Sequence, residues 1–226
     1  MTERSLPIYL EGRTDMVTYS GVRIEPTDKF GGSFSGVPSL TDIVLGLGRA
    51  ARFGGHTTRW WTVLLHSLVC AQIAERIGLN KIVQFHCLMH DAHESVTSDV
   101  PAFFKPAYMK EQQEFIDARL YTALGVRYVT GFERLAIGFA DEAALRAEAF
   151  LYGPPAIMAH IAAPLSKDVE IVRAIGEQFP NPSDTDGLQS VAAVEFLRVF
   201  AELYPHAVAA PRNDSPHTHP DEGPLW

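Results

Sequence analysis

From Thr62 to Ser95 the apolar residues recur at helical spacing through two successive segments, and this periodicity restricts the chain more than any other feature. In the first segment Leu65, Leu68, Val69, Ile73 and Ile77 fall on one face, and Gly78 stands where a left-handed helix end is expected. Asn80 then opens a second segment through Ile82, Val83, Phe85, Leu88 and Met89 to about Ser95. The same pattern continues outside this region. Ser39 or Thr41 can cap a helix bearing Ile43, Val44, Leu47 and Ala51, and a further helix covers roughly Tyr108 to Leu124, before Gly125. Thr130 with Glu133 is a capping-box signature for a helix through Phe150, and Pro154-Pro155 ends it. Two more helices are expected near Lys167–Glu177 and Ser190–Leu203. The expectation is an all-α architecture.

The flanks read differently. The first 37 residues are rich in Gly, Ser, Thr and Tyr with short alternating pieces such as Val22-Arg23-Ile24, which suit extended arms or a small hairpin. After Tyr204 the chain is rich in proline and polar residues, and a flexible tail is expected. The division is therefore an extended N-terminal arm over 1–38, one helical domain over 39–204 and a tail over 205–226.

A formal charge of −8 over 226 residues argues against a partner that is a nucleic-acid polymer. Neither a signal peptide nor an apolar run of the ~20 residues that a membrane span needs is visible, so no membrane partner is expected. Cys70 and Cys87 are too few for a disulfide framework and are expected as buried free thiols in a reducing cytoplasm.

The segment richest in chemistry is His90-Asp91-Ala92-His93-Glu94, followed by Asp99-Val100-Pro101 and Lys105. On a continuous helix His90 and Glu94 share a face and Asp91 borders it, an arrangement that could bind a divalent cation and orient water. Upstream, His66 interrupts the apolar face of the preceding helix, and downstream Asp141 interrupts another within Phe139-Ala140-Asp141-Glu142. Singly, a histidine in an apolar stretch is more often a core residue, and a helical aspartate more often a solvated one. Together they form the ordered pattern His…His-Asp…Asp.

That pattern resembles the HD superfamily of metal-dependent phosphohydrolases, in particular the branch holding bacterial 5′-deoxyribonucleotidases and phage deoxynucleoside triphosphohydrolases. The stretch from His90 to Lys105 is similar to that branch in register and content, as is Arg52-Phe53-Gly54-Gly55-His56-Thr57 ahead of the His66 helix. The resemblance spans roughly residues 39–150 and implies an HD-domain helical bundle. It implies one divalent ion (Mn, Co, Fe, Zn or Mg) on His66, His90, Asp91 and Asp141, with Glu94 and Asp99 as catalytic carboxylates. Arg52 and Lys105 would contact phosphate, and Phe53 would pack against the sugar. The implied substrate is a small-molecule nucleotide: a deoxynucleoside 5′-monophosphate first, a triphosphate losing its whole phosphate chain second. A cytoplasmic homo-oligomer is expected, and a non-catalytic nucleotide-binding module is the rival from another class.

Three positions depart from the branch. Phe53 stands where tryptophan is common, Leu65 where a glutamate usually precedes the first metal histidine, and His93 where a small residue is usual. The last suggests a rival zinc site on His86, His90 and His93, which one straight helix could hardly wrap around an ion. Trp60 and Trp61 could line a base pocket, and Arg59 could add to the phosphate charge. Gly31-Gly32 and Gly54-Gly55 lack the lysine and helix of a phosphate-binding loop.

Overall fold

The computed structural model describes residues 16–25, 33–101, 104–180, 187–188 and 190–208. The expected tail, with His217 and His219, lies almost wholly outside these residues, as do 1–15 of the arm.

Described parts of the arm form a small antiparallel sheet in the order β1 (Met16–Val17), β2 (Arg23–Glu25), β3 (Ser33–Phe34). Ser20 ties it to the helical body: its N–H and its hydroxyl both donate to the Asp42 carboxylate, at 2.8 and 2.5 Å. Asp42 is also the third residue of α1 (Leu40–Arg49), where it completes a capping box with Ser39.

The remaining helices are α2 (Val63–Arg76), α3 (Lys81–Met89), α4 (Glu94–Thr97), α5 (Ala107–Ala123), α6 (Gly131–Tyr152), α7 (Ser166–Gln178) and α8 (Val191–Ala207). Their starts are set by local chemistry. Thr62, Asn80, Thr130 and Ser190 each accept a backbone N–H of the first turn. Helix α2 sits at the centre, packed on α3, α6, α7, α1 and α8. It is buried nearly all round: Leu64, Leu65, Val69, Ile73 and Ala74 are inaccessible, and Cys70 and Ala71 almost so. A helix that must be apolar on every side has nowhere solvated to put a polar residue. His66, at 0% exposure, therefore needs a partner for each ring nitrogen.

Two expected elements differ. The helix expected from Asn80 to Ser95 is interrupted: α3 ends at Met89, and the backbone tightens through residues 90–95. Ala92, Glu94 and Ser95 donate to the carbonyls of Met89, Asp91 and Ala92, three residues back rather than four. In that tighter coil residues three apart align, so Asp91 and Glu94 become the stacked pair instead of His90 and Glu94. At the other end α8 runs to Ala207, past the expected boundary at 204 and through Pro205. It is followed by a bridge between Val126 and Val208. Among the described residues no helix is long and apolar enough to cross a membrane.

Candidate metal centre

Helices α2 and α6 and the 90–94 turn bring His66, His90, Asp91 and Asp141 together. His66 Nε2 lies 3.1 Å from Asp141 Oδ1 and 3.6 Å from Asp91 Oδ2. His90 Nε2 lies 3.2 Å from Asp91 Oδ2 and 3.7 Å from Asp141 Oδ1. Both rings are held by their other nitrogen. His66 Nδ1 donates to Glu148 Oε1 at 2.8 Å, and His90 Nδ1 donates to the carbonyl of Cys87 at 2.8 Å. Those bonds fix the tautomer of each ring in its neutral form, so that Nε2 is the nitrogen turned toward the shared space. His90 Nε2 is buried and makes no hydrogen bond.

The electrostatics favour positive charge in that space. Burial opposes protonation of His66 and His90, as does Arg52 at His66. Even so, both imidazoles sit well above their ordinary value because of Cys70, Glu148 and Asp141 at His66 and of Asp91, Cys70 and Asp141 at His90. Burial also opposes ionisation of Asp91 and Asp141, yet the two histidines pull both carboxyls well below the usual range. Two imidazoles, once an ion displaces their Nε2 protons, and two carboxylates converging at 3.1–3.7 Å fit a divalent ion of borderline softness.

The proposed catalytic and substrate groups ring this cluster. Glu94 is almost completely buried. Its Oε1 receives Lys105 Nζ at 3.2 Å, and its Oε2 is buried without a hydrogen-bond partner. Burial, then Asp91 and Asp99, push its pKa up to about 7. Arg52 Nη1 reaches Asp99 Oδ2 at 3.4 Å, while its Nε lies 3.5 Å from Glu148 Oε2. Phe53 follows Arg52 in a short 3₁₀ turn (Arg52–Gly55), its ring centroid 5.6 Å from the guanidinium carbon. Both non-glycine residues with positive φ among those described flank the site: Phe53 at 54° and Ser98, just before Asp99, at 61°. Each such residue costs on the order of 1–3 kcal/mol, which the packing around it must offset.

Three readings need correction. The histidine stripe does not form: His86 Nε2 is committed to the carbonyl of Arg127 at 3.0 Å, and His93 Nδ1 to Asp117 Oδ2 at 2.8 Å. Arg59 is not a spare phosphate contact. It donates to the carbonyls of Gly176 and Phe179, capping the end of α7, and lies over the rings of Trp61 and Tyr152. Trp61 is wholly buried in that stack, so it lines no base pocket.

Glu148 was missed. It is fully buried, and one carboxylate holds both the His66 ring and the Arg52 side chain. Its sequence signal is faint but present: it lies seven residues, two helical turns, after Asp141 on the same helix, between Ala147 and Ala149. With Leu65 where the resemblance leads one to expect a glutamate, a carboxylate from α6 sits beside the first histidine instead.

No family model matches the chain. The uncharacterized protein YfdR of Escherichia coli (strain K12) is 33% identical over 90 residues, which are 38% of this chain and 47% of YfdR. The chain thus spans about half the length of this curated relative. The Cyanophage S-2L HD phosphohydrolase DatZ, solved bound to dA and one catalytic Zn2+ ion, aligns over 74% of this chain and 96% of its own. Sequence identity there is 19% and the TM-score 0.40. The helical architecture is the one that the resemblance to the HD superfamily implied, and donor atoms of His66, Cys70, His90 and Asp141 lie within 4.8 Å of one another, a group that could hold a metal ion.

Proposed function

We propose that the chain is a metal-dependent phosphohydrolase that cleaves the phosphate ester of deoxynucleoside 5′-phosphates, with monophosphates the preferred substrates. The observation that carries this reading is the convergence of His66, His90, Asp91 and Asp141 beside a buried carboxylate, Glu94, and a buried arginine, Arg52. His66, His90, Asp91 and Asp141 would hold a divalent ion, and the ion would supply Lewis acidity there.

The chain's own groups supply the rest. Glu94 Oε2 accepts a proton as a water oxygen attacks phosphorus; a pKa near 7 suits a base at neutral pH. The P–O bond to the sugar oxygen breaks, and Asp99 relays to that leaving oxygen a proton taken from solvent, to which Glu94 afterwards returns the one it accepted. Arg52, with its planar fork, and Lys105 neutralise charge accumulating on the phosphoryl group. Phosphate on Arg52 would bring the sugar within reach of the Phe53 ring, which lies against the same guanidinium. A phenyl face offers a 2′-hydroxyl no hydrogen bond in return for its lost water, so deoxyribose is favoured. A purely binding module would have no use for a base aimed at the phosphate position.

The test is analysis of phosphate, pyrophosphate and triphosphate released from a panel of ribo- and deoxynucleotides with each divalent metal. Inorganic phosphate from dAMP or dGMP, faster than from AMP, is expected. Intact triphosphate from a dNTP, with monophosphates untouched, would replace the monophosphatase reading with the triphosphohydrolase one. Tight nucleotide binding with no product would favour the binding module.

A further inference from the structure

Helix α6 turns one side to the core and leaves another bare. Residues 131–139, its first turns, are all exposed or half-exposed. Phe132 is 81% exposed, Phe139 60% and Phe150 52%, a poor use of side chains whose burial drives folding. Between them on the same side stand Ala136, Ala143 and Arg146. The steps along this row are four, three, four, three and four residues, the spacing of a seam that faces a second helix. Arg146 brings a charge that Glu142 of the same helix neutralises through an ion pair of 2.8 Å. At roughly 200 Å² per aromatic side chain, the exposed parts of the three phenylalanines come to about 400 Å². Leu135, 74% exposed beside Phe132 and Phe139, extends the patch. Patches of this size on a soluble chain are often functional.

We propose that this side of α6 binds the same side of α6 in a second copy of the chain, antiparallel about a two-fold axis. The step pattern reads the same from either end, as a two-fold requires of a self-complementary surface. Antiparallel register sets Phe139 against Ala143 of the second copy, Ala136 against its Arg146, and Phe132 against its Phe150. Large side chains then meet small ones, and the outermost rings meet each other. Arg146 lays its aliphatic stem on alanine and keeps its charged end on Glu142. A parallel pairing would set arginine on arginine and alanine on alanine, opposing like charges and leaving gaps. Two copies bury about 800 Å² from the phenylalanines alone, and Leu135 with the rest of the seam carries this past the roughly 1,000 Å² that a specific interface needs. At 3.6 residues per turn, Asp141 points from the opposite side of α6, where it meets His66 and His90. The partner helix therefore sits behind the metal centre and not over it, and the inference is independent of the metal-centre reading.

Sedimentation equilibrium of the full chain reads the oligomeric state. A dimer is expected at micromolar concentration. Phe139→Glu should weaken it by roughly 10²-fold or more, since a central aromatic is replaced in both copies. Circular dichroism checks that this variant is folded. Phe132→Ser alters a side chain that is 81% exposed, should also weaken the dimer, and serves if Phe139→Glu does not fold. Register is read by disulfide formation, because Cys70 and Cys87 are buried. Ala136→Cys and Arg146→Cys chains, co-expressed and oxidised, should link to each other. Neither should link to itself, because like positions lie about 15 Å apart along the antiparallel pair, beyond the reach of a disulfide. Self-linking of Arg146→Cys would show a parallel pairing and overturn the antiparallel seam. A monomeric wild type, or a dimer that neither Phe139→Glu nor Phe132→Ser weakens, overturns the interface.

Discussion

Replacing Glu148 separates two jobs that a single buried carboxylate performs. Its Oε1 holds His66 Nδ1 at 2.8 Å and its Oε2 faces Arg52 Nε at 3.5 Å, with Glu148 itself inaccessible to solvent. In Glu148→Gln the side-chain amide can still accept from His66, so the ring keeps its orientation, but the negative charge is gone. A carboxylate behind a ligating imidazole raises its basicity, and losing such a partner typically lowers metal affinity by roughly 10–100-fold, about 1.4–2.7 kcal/mol. In Glu148→Ala both partners are stranded. Breaking a buried ion pair by removing one member costs about 3–5 kcal/mol. At about 2–4 °C per kcal/mol for a chain of this size, metal-free Glu148→Ala should melt roughly 6–20 °C below wild type. The assays are competition for Zn2+ with a chelator of known affinity and thermal unfolding of metal-stripped protein. Glu142→Ala, on the exposed side of the same helix, serves as the control. Wild-type Zn2+ affinity in Glu148→Gln would refute the argument that the carboxylate behind His66 strengthens metal binding. A melting temperature in Glu148→Ala equal to that of the control would refute the buried-pair argument.

Glu94→Gln should keep its full metal content by elemental analysis yet lose about 10²–10⁴ in kcat, the range for a general acid–base group; unchanged turnover would remove Glu94 from the chemistry. Phe53→Ala should narrow the preference for deoxynucleotides over ribonucleotides in kcat/KM, and an unaltered ratio would deny the ring any part in sugar selection. Glu133 is held down to about 2 by Arg127, then by the Thr130 N–H. Because its folded pKa is depressed, its stabilising effect is present above the ordinary carboxylate pKa of about 4.5 and is lost as pH falls toward 2. Glu133→Gln should therefore unfold at lower urea than wild type at pH 6, both metal-stripped, with the gap closing between pH 5 and pH 2. A gap independent of pH would mean that the cap works without the charge.

Helix starts were legible because a cap is a local device. Ser39, Thr62, Asn80, Thr130 and Ser190 each bind a backbone N–H within three residues, and the sequence displays both ends of that bond. The break after Met89 was not legible, since a coil tightened to three-residue hydrogen bonds uses the same composition as the helix it interrupts. Grouping His66 with His90, Asp91 and Asp141 came from the resemblance, because periodicity could put each on a helix but not on facing helices. Glu148 escaped because its partners lie 82 and 96 positions away in the chain. Arg59 was misjudged for a related reason: its partners are the carbonyls of Gly176 and Phe179, and backbone carbonyls leave no mark in a sequence.

Gly46, on α1, touches none of the groups assigned to chemistry, yet it governs where one of them stands. A methyl group there would lie 2.3 Å from the carbonyl oxygen of Ser95 and 2.6 Å from its Cα, both backbone atoms of the turn that carries Glu94. Helix α1 cannot readily yield, because the Asp42 capping box and the Ser20 bonds anchor its other end. Any side chain at position 46 must therefore push α4 outward, moving Glu94 relative to His66 and Asp141, which α2 and α6 hold independently. The carboxylate proposed as the base is thus calibrated from behind by the thickness of a hydrogen atom. Position 46 is accordingly where a substitution would detune the proposed reaction while removing no ligand, charge or substrate contact.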